Sequence, residues 1–593
     1  MTALTKSALI VTMTCLTASA AVLAESEAVR PATQTASRVS DFSLLDQNGV
    51  FHQLSRLQHK KAVVVMSYDA SCASDKQAVD GLDQIRKNWE SKDVAFVLMN
   101  SKLKQDRNAV REAALNSKVD FTILMDHAQL VAESLGIQTS GSIVVLDPET
   151  TQLLYKGPVN SQITKVLEAK LAGKAEPVKA LPVQGCAIDF PGKKLHAAKV
   201  PDYSKDIAPI IKDNCAMCHH EGGIGPFAMN SYNMMKGWSP MIREVLLTKR
   251  MPPMQVDPNI SHFSNARYVS DKDLQTLVHW VDAGSPRGTG KEDPLTKLHY
   301  GNLRDWQLGK PDFIVTAKAH DVPAVGVIDY INDDVELSFN EDKWVRAVQF
   351  IPGAPSVLHH ILTYVTGPKE TFDGGEGGAG GRNQVARRFL EGYAPGKIDA
   401  MTFPKDTGVF IPKGHKLSMQ FHYTANGKAA TDQTIVGLYF YDKPPKYEYL
   451  NLSVSGQFKI PPHARDHKAA GDHVFTEDVI VHGLRAHMHF RGHDMKFTAD
   501  LPDGTKKELL SVPNYSYAWQ PTYQLIEPVT LPAGTKVHVT GAFDNSKWNP
   551  ANPDPSKELT FGLQSWDEMF IGYWSYTTVK PANRLSNTGQ SQR

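Results

Sequence analysis

From about residue 312 onward the sequence is a run of short apolar stretches separated by proline- and glycine-rich turns: "PDFIVTAK", "WVRAVQFIP", "HHILTYVT", "KLSMQFHYT", "TIVGLYFYD", "DVIVHGLRAHMHF", "KVHVTGAF". Many short strands at this spacing predict β sandwiches. This part of the chain has no cysteine, because none of the five lies beyond Cys218. It must therefore be stable without disulfides. It carries imidazoles instead: 12 of the 22 histidines lie from His359 onward. Thiol chemistry and imidazole chemistry are thus assigned to different parts of the molecule.

A chain of 593 residues is too long for one core, and at roughly 150 residues per domain it divides into about four. The first 24 residues carry a lysine, an apolar run and a small-residue end at Val22-Leu23-Ala24, the pattern of a signal peptide. No later segment has ~18 uninterrupted apolar residues, so no membrane span is expected after its removal. A net charge of +1 gives no global drive toward nucleic acid or an acidic membrane.

Residues 38–172 alternate apolar strands ("KAVVVMSYDA", "DVAFVLMNS", "GSIVVLDP") with an amphipathic helix ("SDKQAVDGLDQIRKNWESK"), which implies a sheet with helices on its faces. This order, with "VSDFSLLDQNGVFHQLS" ahead of it, resembles the thioredoxin-like fold in its peroxiredoxin or thiol-disulfide branch. The motif is altered. Where that family has Cys-x-x-Cys the chain reads Cys72 and then Asp75, and Ser140-Gly141-Ser142 replaces the usual Thr-Pro. Cys186 is the candidate disulfide partner of Cys72, as a staple in an oxidising compartment or as an active pair. Residues 173–200 read as a Lys-, Ala- and Pro-containing linker.

"CAMCH" at 215–219 is Cys-x-x-Cys-His, the c-type haem attachment motif. Cys215 and Cys218 are placed to add to the vinyl groups, and His219 to reach the iron. A zinc knuckle needs a second ligand pair that is not nearby; a catalytic dithiol is the other competing reading. With "RMPPM" and "VSDKDLQTLVHWVDAGSPRG", the region 201–292 resembles a small, mainly helical class I cytochrome c module. The resemblance implies a methionine as sixth ligand: Met251, with Met254 as its competitor.

In "RAHMHF", His487 and His489 share one face of an extended strand, whereas a helix would set them about 200° apart. The pair is a half metal site or two exposed polar residues. "SVLHHILTYVT" carries His359 and His360, "LSMQFHYTANG" His422 and "LQSWDEMFIGYW" Met569. Adjacent histidines in a flat strand face opposite ways, so His359 and His360 can share an ion only at a twist, bulge or strand end. Imidazoles with one thioether suit copper, the soft sulfur favouring Cu(I).

Together these four motifs, over about 320–580, resemble the ascorbate-dependent type II copper monooxygenases that hydroxylate peptidylglycine or dopamine. The resemblance implies two β domains, 312–455 and 456–585. His359, His360 and His422 would hold one copper (CuH), and His487, His489 and Met569 the second (CuM). Arg485 and Tyr573 align with substrate contacts of the peptide-hydroxylating branch, while Ile571 stands where that family has asparagine. The expectation is an exported, bacterial periplasmic enzyme. It would insert oxygen from O2 into a C–H bond of a small molecule or peptide, with electrons from a periplasmic donor relayed through haem c to CuH. The alternative is an electron-transfer, redox-sensing or copper-handling protein without oxygenase activity.

Overall fold

The computed structural model describes residues 38–593 except 175–179, 222, 224, 254, 299–304, 327, 371–387, 395–399 and 581–593. The expected signal peptide, Met254 and the glycine-rich stretch 374–382 lie outside the described residues.

A hairpin of β1 (Ser43–Leu45) and β2 (Phe51–Gln53) precedes the first sheet. That sheet comprises β3 (Ala62–Ser67), β4 (Val94–Asn100), β5 (Ile123–Met125), β6 (Ile143–Leu146) and β7 (Leu153–Gly157), in the order β5-β4-β3-β6-β7. β3, β4 and β5 are parallel; β6 and β7 are antiparallel additions. Every residue of β3 is buried because both faces of the sheet are covered. Ala62, Val64 and Met66 enter one core with α1 (Ala73–Trp89), α2 (Arg107–Asn116) and α4 (Ser161–Leu171). Val63 and Val65 enter the other with α3 (Leu130–Ser134). This is the sheet with helices on both faces that the alternation implied, and the thioredoxin-like α/β architecture that the resemblance implied.

The stretch read as a linker is partly built into the structure. Ile188 and Phe190 pack on the second core of the α/β module, and Pro191 then opens α5 (Pro191–Ala198) at a position proline favours. Its overall Lys, Ala and Pro content masked these two anchors. The helical module follows, with α6 (Ala208–Asn214), α7 (Tyr232–Leu247) and α8 (Asp271–Asp282) around Ile207, Ile211, Met235, Ile242, Leu277 and Trp280. Ser231 and Ser270 cap α7 and α8, each accepting a backbone N–H within the first turn.

The next unit contains β8 (Phe313–Thr316), β9 (His320–Val322), β10 (Ile331–Glu336), β11 (Lys343–Ile351), β12 (Leu358–Thr366), β13 (Arg388–Tyr393), β14 (Met401–Thr402), β15 (Thr407–Ile411), β16 (Lys416–Tyr423), β17 (Ala430–Asp432), β18 (Ile435–Phe440) and β19 (Tyr447–Glu448). Its sheets run β10-β16-β12-β13 and β19-β15-β11-β18-β8, with β14 on β11 and a separate β9–β17 pair. Alternate residues of both enter one core, Ile361, Val365, Leu417, Met419 and Phe421 meeting Val345, Val348, Val436 and Leu438.

The last unit contains β20 (Leu450–Ser455), β21 (His467–Val474), β22 (Val479–Met488), β23 (Gly492–Asp500), β24 (Lys506–Val512), β25 (Tyr523–Leu531), β26 (Lys536–Phe543) and β27 (Phe570–Thr578). Sheets β20-β27-β22-β25 and β21-β26-β23-β24 close over a second core that includes Leu484, Met488, Phe497, Val539, Phe570 and Trp574. β20 pairs with β27, so this unit begins before the expected boundary at residue 456.

Candidate metal centre

Two β-bulges decide which side chains face the space between the β units. In β12 the register against β16 shifts between Leu358 and His360, leaving His359 as the extra residue. Leu358 and Ile361 stay in the core on either side of the shift, and His359 and His360 emerge together. His360 lies opposite His422 of β16. The ligand-type atoms of His359, His360 and His422 all lie within 4.8 Å of one another, and the Nδ1 atoms of His359 and His360 are 3.1 Å apart.

In β22 the register shifts between Val481 and Gly483. Before the shift Val479 and Val481 point into the core; after it Leu484, Ala486 and Met488 do. One inserted residue has changed the parity, and Arg485, His487 and His489 therefore lie on the other face. Met569, 3% exposed at the entrance to β27, completes the group with its Sδ 3.2 Å from His487 Nε2.

Buried polar groups orient this second group. Gln520 Oε1 lies 2.6 Å from His487 Nδ1, and Gln520 Nε2 donates to the Tyr517 carbonyl. If His487 Nδ1 carries the proton, its Nε2 is left as an acceptor beside Met569. Glu568, fully buried, accepts the backbone N–H groups of His489 and Arg491 at 2.9 and 2.7 Å. Arg491 is itself fully buried and donates to Asn545 and to the carbonyls of Trp566 and Asp554.

Tyr517 touches both groups. Its ring stacks on His359 at 4.7 Å and meets His489 edge-on at 5.6 Å, and its hydroxyl is 2.8 Å from Ser565 Oγ and 3.5 Å from His422 Nδ1. Tyr330 covers the other face of the first group, stacked on His422. His359, His360, His487 and Met569 all line one cleft with Arg485, Tyr517 and Tyr573. Arg485 and Tyr573 are cross-strand partners, the guanidinium 4.2 Å from the ring centroid.

Burial pushes His359 down to about 3 and His422 to about 4, and holds His360 and His489 well below the ordinary histidine range. All four are neutral at pH 7, the form that binds metal. His489 is fully buried, yet its Nε2 has no hydrogen-bond partner, which costs about 1–3 kcal/mol unless something coordinates it. Three imidazoles in one group, and two imidazoles with a thioether in the other, are donor sets that suit copper.

In the helical module Cys215 and Cys218 are not joined in a disulfide. His219 is 8% exposed, with Nδ1 3.0 Å from the Phe227 carbonyl. Donation from Nδ1 leaves Nε2 as an acceptor. His219 lines a cavity of about 490 Å³. These residues fit a covalently held haem. Met251 is 36% exposed and does not line that cavity, whereas Met229 does. Met251 lies after α7, and the Met251–Pro252 peptide is cis.

Sequence reasoning missed Tyr517, Gln520 and Tyr330, which lie outside the motifs it used, and also Ser565, inside the phrase that carries Met569, and Met229, ten residues after His219. Glu568 and Arg491 were inside quoted motifs, beside residues that drew the attention. Cys72 and Cys186 form a disulfide. Among the described residues no helix is long and apolar enough to cross a membrane.

Residues 35–153 match the AhpC/TSA family. No curated protein matches the chain. Solved structures similar to it include a hypothetical protein from Sinorhizobium meliloti (20% identity, 27% of this chain and 96% of that one, TM-score 0.25). Others are a peroxidoxin from Mycobacterium tuberculosis (20% identity, 23% and 96%, TM-score 0.20) and a putative thiol:disulfide interchange protein from Chlorobium tepidum (16% identity, 23% and 96%, TM-score 0.21). The chain thus carries, over residues 35–153, a thioredoxin-like domain that matches the AhpC/TSA family.

Proposed function

We propose that this protein is an exported, periplasmic copper-dependent monooxygenase that hydroxylates a C–H bond of an organic substrate such as a peptide with O2. The observation that supports it is that His359 and His360, grouped with His422, line one cleft with His487 and Met569, while Tyr517 touches both His359 and His489. Copper held by these two groups would supply the one-electron chemistry that O2 requires. Haem c on Cys215, Cys218 and His219 would bring in electrons from a periplasmic donor.

The chain's own side chains do the rest. Gln520 orients His487, and Glu568 fixes the backbone on either side of Phe490. Arg485 offers the cleft a guanidinium suited to a carboxylate, and Tyr573 backs it. The cleft has a free volume of about 30 Å³, room for a water-sized molecule. A larger substrate must enter by parting the two β units.

That tightness also favours a second reading, an electron-transfer or copper-handling protein in which no organic substrate enters. Copper analysis of the purified protein, then O2 uptake by the reduced, copper-loaded form with glycine-extended peptides, separates the two. Two coppers with substrate-dependent uptake support the monooxygenase. Two coppers without uptake over a broad panel support electron transfer, and fewer than two coppers sink both.

A further inference from the structure

Helix α5, at the end of the connector, packs against α8 of the helical module through two rungs. At the first, Gly192 meets Gln275 so closely that a Cβ on Gly192 would lie 2.3 Å from Gln275 Oε1. Gln275 Nε2 in turn donates to the Ala128 carbonyl of the α/β module at 2.8 Å. Four residues further along each helix, on the same face, stand His196 and His279. Their Nδ1 atoms are 2.8 Å apart. Each lies in the last turn of its helix, where the backbone dipole favours a positive charge.

The far side of the His279 ring is fixed by α3. His279 Nε2 is 2.9 Å from Glu133 Oε2, and the two side chains are only 10% and 9% exposed. A carboxylate accepts and does not donate, so Nε2 carries the proton and the neutral ring presents a bare Nδ1 to His196. Glu133 Oε1 is buried with no hydrogen-bond partner. A buried carboxylate satisfied on one oxygen alone, by a neutral ring, is costly. A cation on the other side of that ring offsets the cost. Carboxylate, imidazole, metal is also the order in which ligating histidines are held. His359 and His360 show the same pair geometry. Their centroids are 5.3 Å apart, their planes at 70° and their Nδ1 atoms 3.1 Å apart; for His196 and His279 the values are 5.0 Å, 71° and 2.8 Å.

We propose that His196 Nδ1 and His279 Nδ1 bind a divalent transition-metal ion, with Glu133 as the positioning residue for His279. At metal–nitrogen distances of about 2.0–2.1 Å, two nitrogens on a tetrahedral ion stand roughly 3.3 Å apart, so the rings part by roughly 0.5 Å to admit it. Water completes the coordination on the side of His196, which is half-buried. The ion clips the connector to the helical module and, through Glu133, both of them to the thioredoxin-like domain. The competing account is a single proton held between the two rings. This inference needs neither copper nor haem.

The test uses the full-length protein, freed of metal by chelation, with zinc alone as the probe at pH 7. Zinc bound at equilibrium is counted by elemental analysis in the wild-type chain and in His196→Gln. Zinc taken up by His359, His360 and His422 is common to both and cancels in the difference. Crystals of the wild-type protein soaked in zinc are examined by anomalous diffraction at the zinc edge. The expected result is one zinc fewer on His196→Gln and an anomalous peak between the two Nδ1 atoms. Glu133→Gln keeps an acceptor for His279 Nε2 but removes the charge, and it should weaken this one site by about 10–100-fold. Equal zinc counts, no peak between the rings at saturating zinc, or an affinity indifferent to Glu133→Gln each overturns the proposal in favour of a shared proton. If His196→Gln does not fold, the map of the wild-type protein decides alone.

Discussion

At the scale of single residues, Met569 is the most informative side chain in the candidate centre, since its thioether stands 3.2 Å from an imidazole nitrogen in a place where a hydrocarbon would pack as well. Met569→Leu keeps the volume and should cost under about 1.5 kcal/mol. We expect it to remove one of two coppers, read by elemental analysis, while His422→Ala removes the other. Glu568→Ala should be far more damaging. It strips two buried backbone N–H groups, those of His489 and Arg491, of their acceptor, a loss of about 2–6 kcal/mol at about 1–3 kcal/mol each that denaturant unfolding would read. His482 supplies a pH signature away from the proposed ligands. Burial pushes it down to about 4 from 6.5. Between those values the unfolded chain binds the proton and the folded chain does not. Its contribution is therefore complete above pH 6.5 and lost as pH falls toward 4, on the order of 3 kcal/mol. His482→Gln should flatten the fall in thermal midpoint over that window.

At the scale of elements, the bulges are the devices that make the site. Binary patterning set the apolar residues of β22 at 479 and 481 and again at 484, 486 and 488. That change of parity was visible in the sequence as the phrase "VIVHGLRAHM". The alternation shows that a residue is inserted, but not where pairing slips; that depends on which carbonyls of β25 and β27 accept. Deleting Gly483 should remove the extra residue and leave a flat strand with the same facing, Leu484, Ala486 and Met488 in the core and Arg485, His487 and His489 on the other face. The expected outcome is a copper count of two with strand content retained by circular dichroism, which loss of the second copper would contradict. The connector is the opposite case. Its composition suggested a linker, yet Ile188 and Phe190 anchor it and its backbone bonds to the loop before β6.

At the scale of the whole molecule, the modules are packed rather than strung. Leu130 of the thioredoxin-like domain meets Leu247 and Val278 of the helical module, and His279 pairs with Glu133 across the same seam. The segment after α7 crosses to the last β unit, where Phe263 enters the core beside Leu525 and Ile526 N donates to the His262 carbonyl. These contacts lead to β25 of the unit that carries His487 and His489, whereas domain order routed the expected haem relay toward CuH. Phe263→Ala removes a large side chain from that core, and we expect a loss of about 3–5 kcal/mol. Limited proteolysis should then cut first between residues 255 and 268.

Strand and helix content, the division into an α/β part, a helical part and a cysteine-free β part, and the roster of nitrogen and sulfur donors all follow from the order of residues, because apolar periodicity is a local property of the chain. Which donors meet does not. His359 and His360 leave their strand on one side because β16 imposes a slip, Met569 reaches His487 from 82 positions away, and Tyr517 stands between the two groups because a loop with no pattern of its own folds over them. Met229 rather than Met251 lines the cavity of His219 for the same reason. Such meetings depend on register and on packing between distant strands, and those are set when the whole chain closes over its cores.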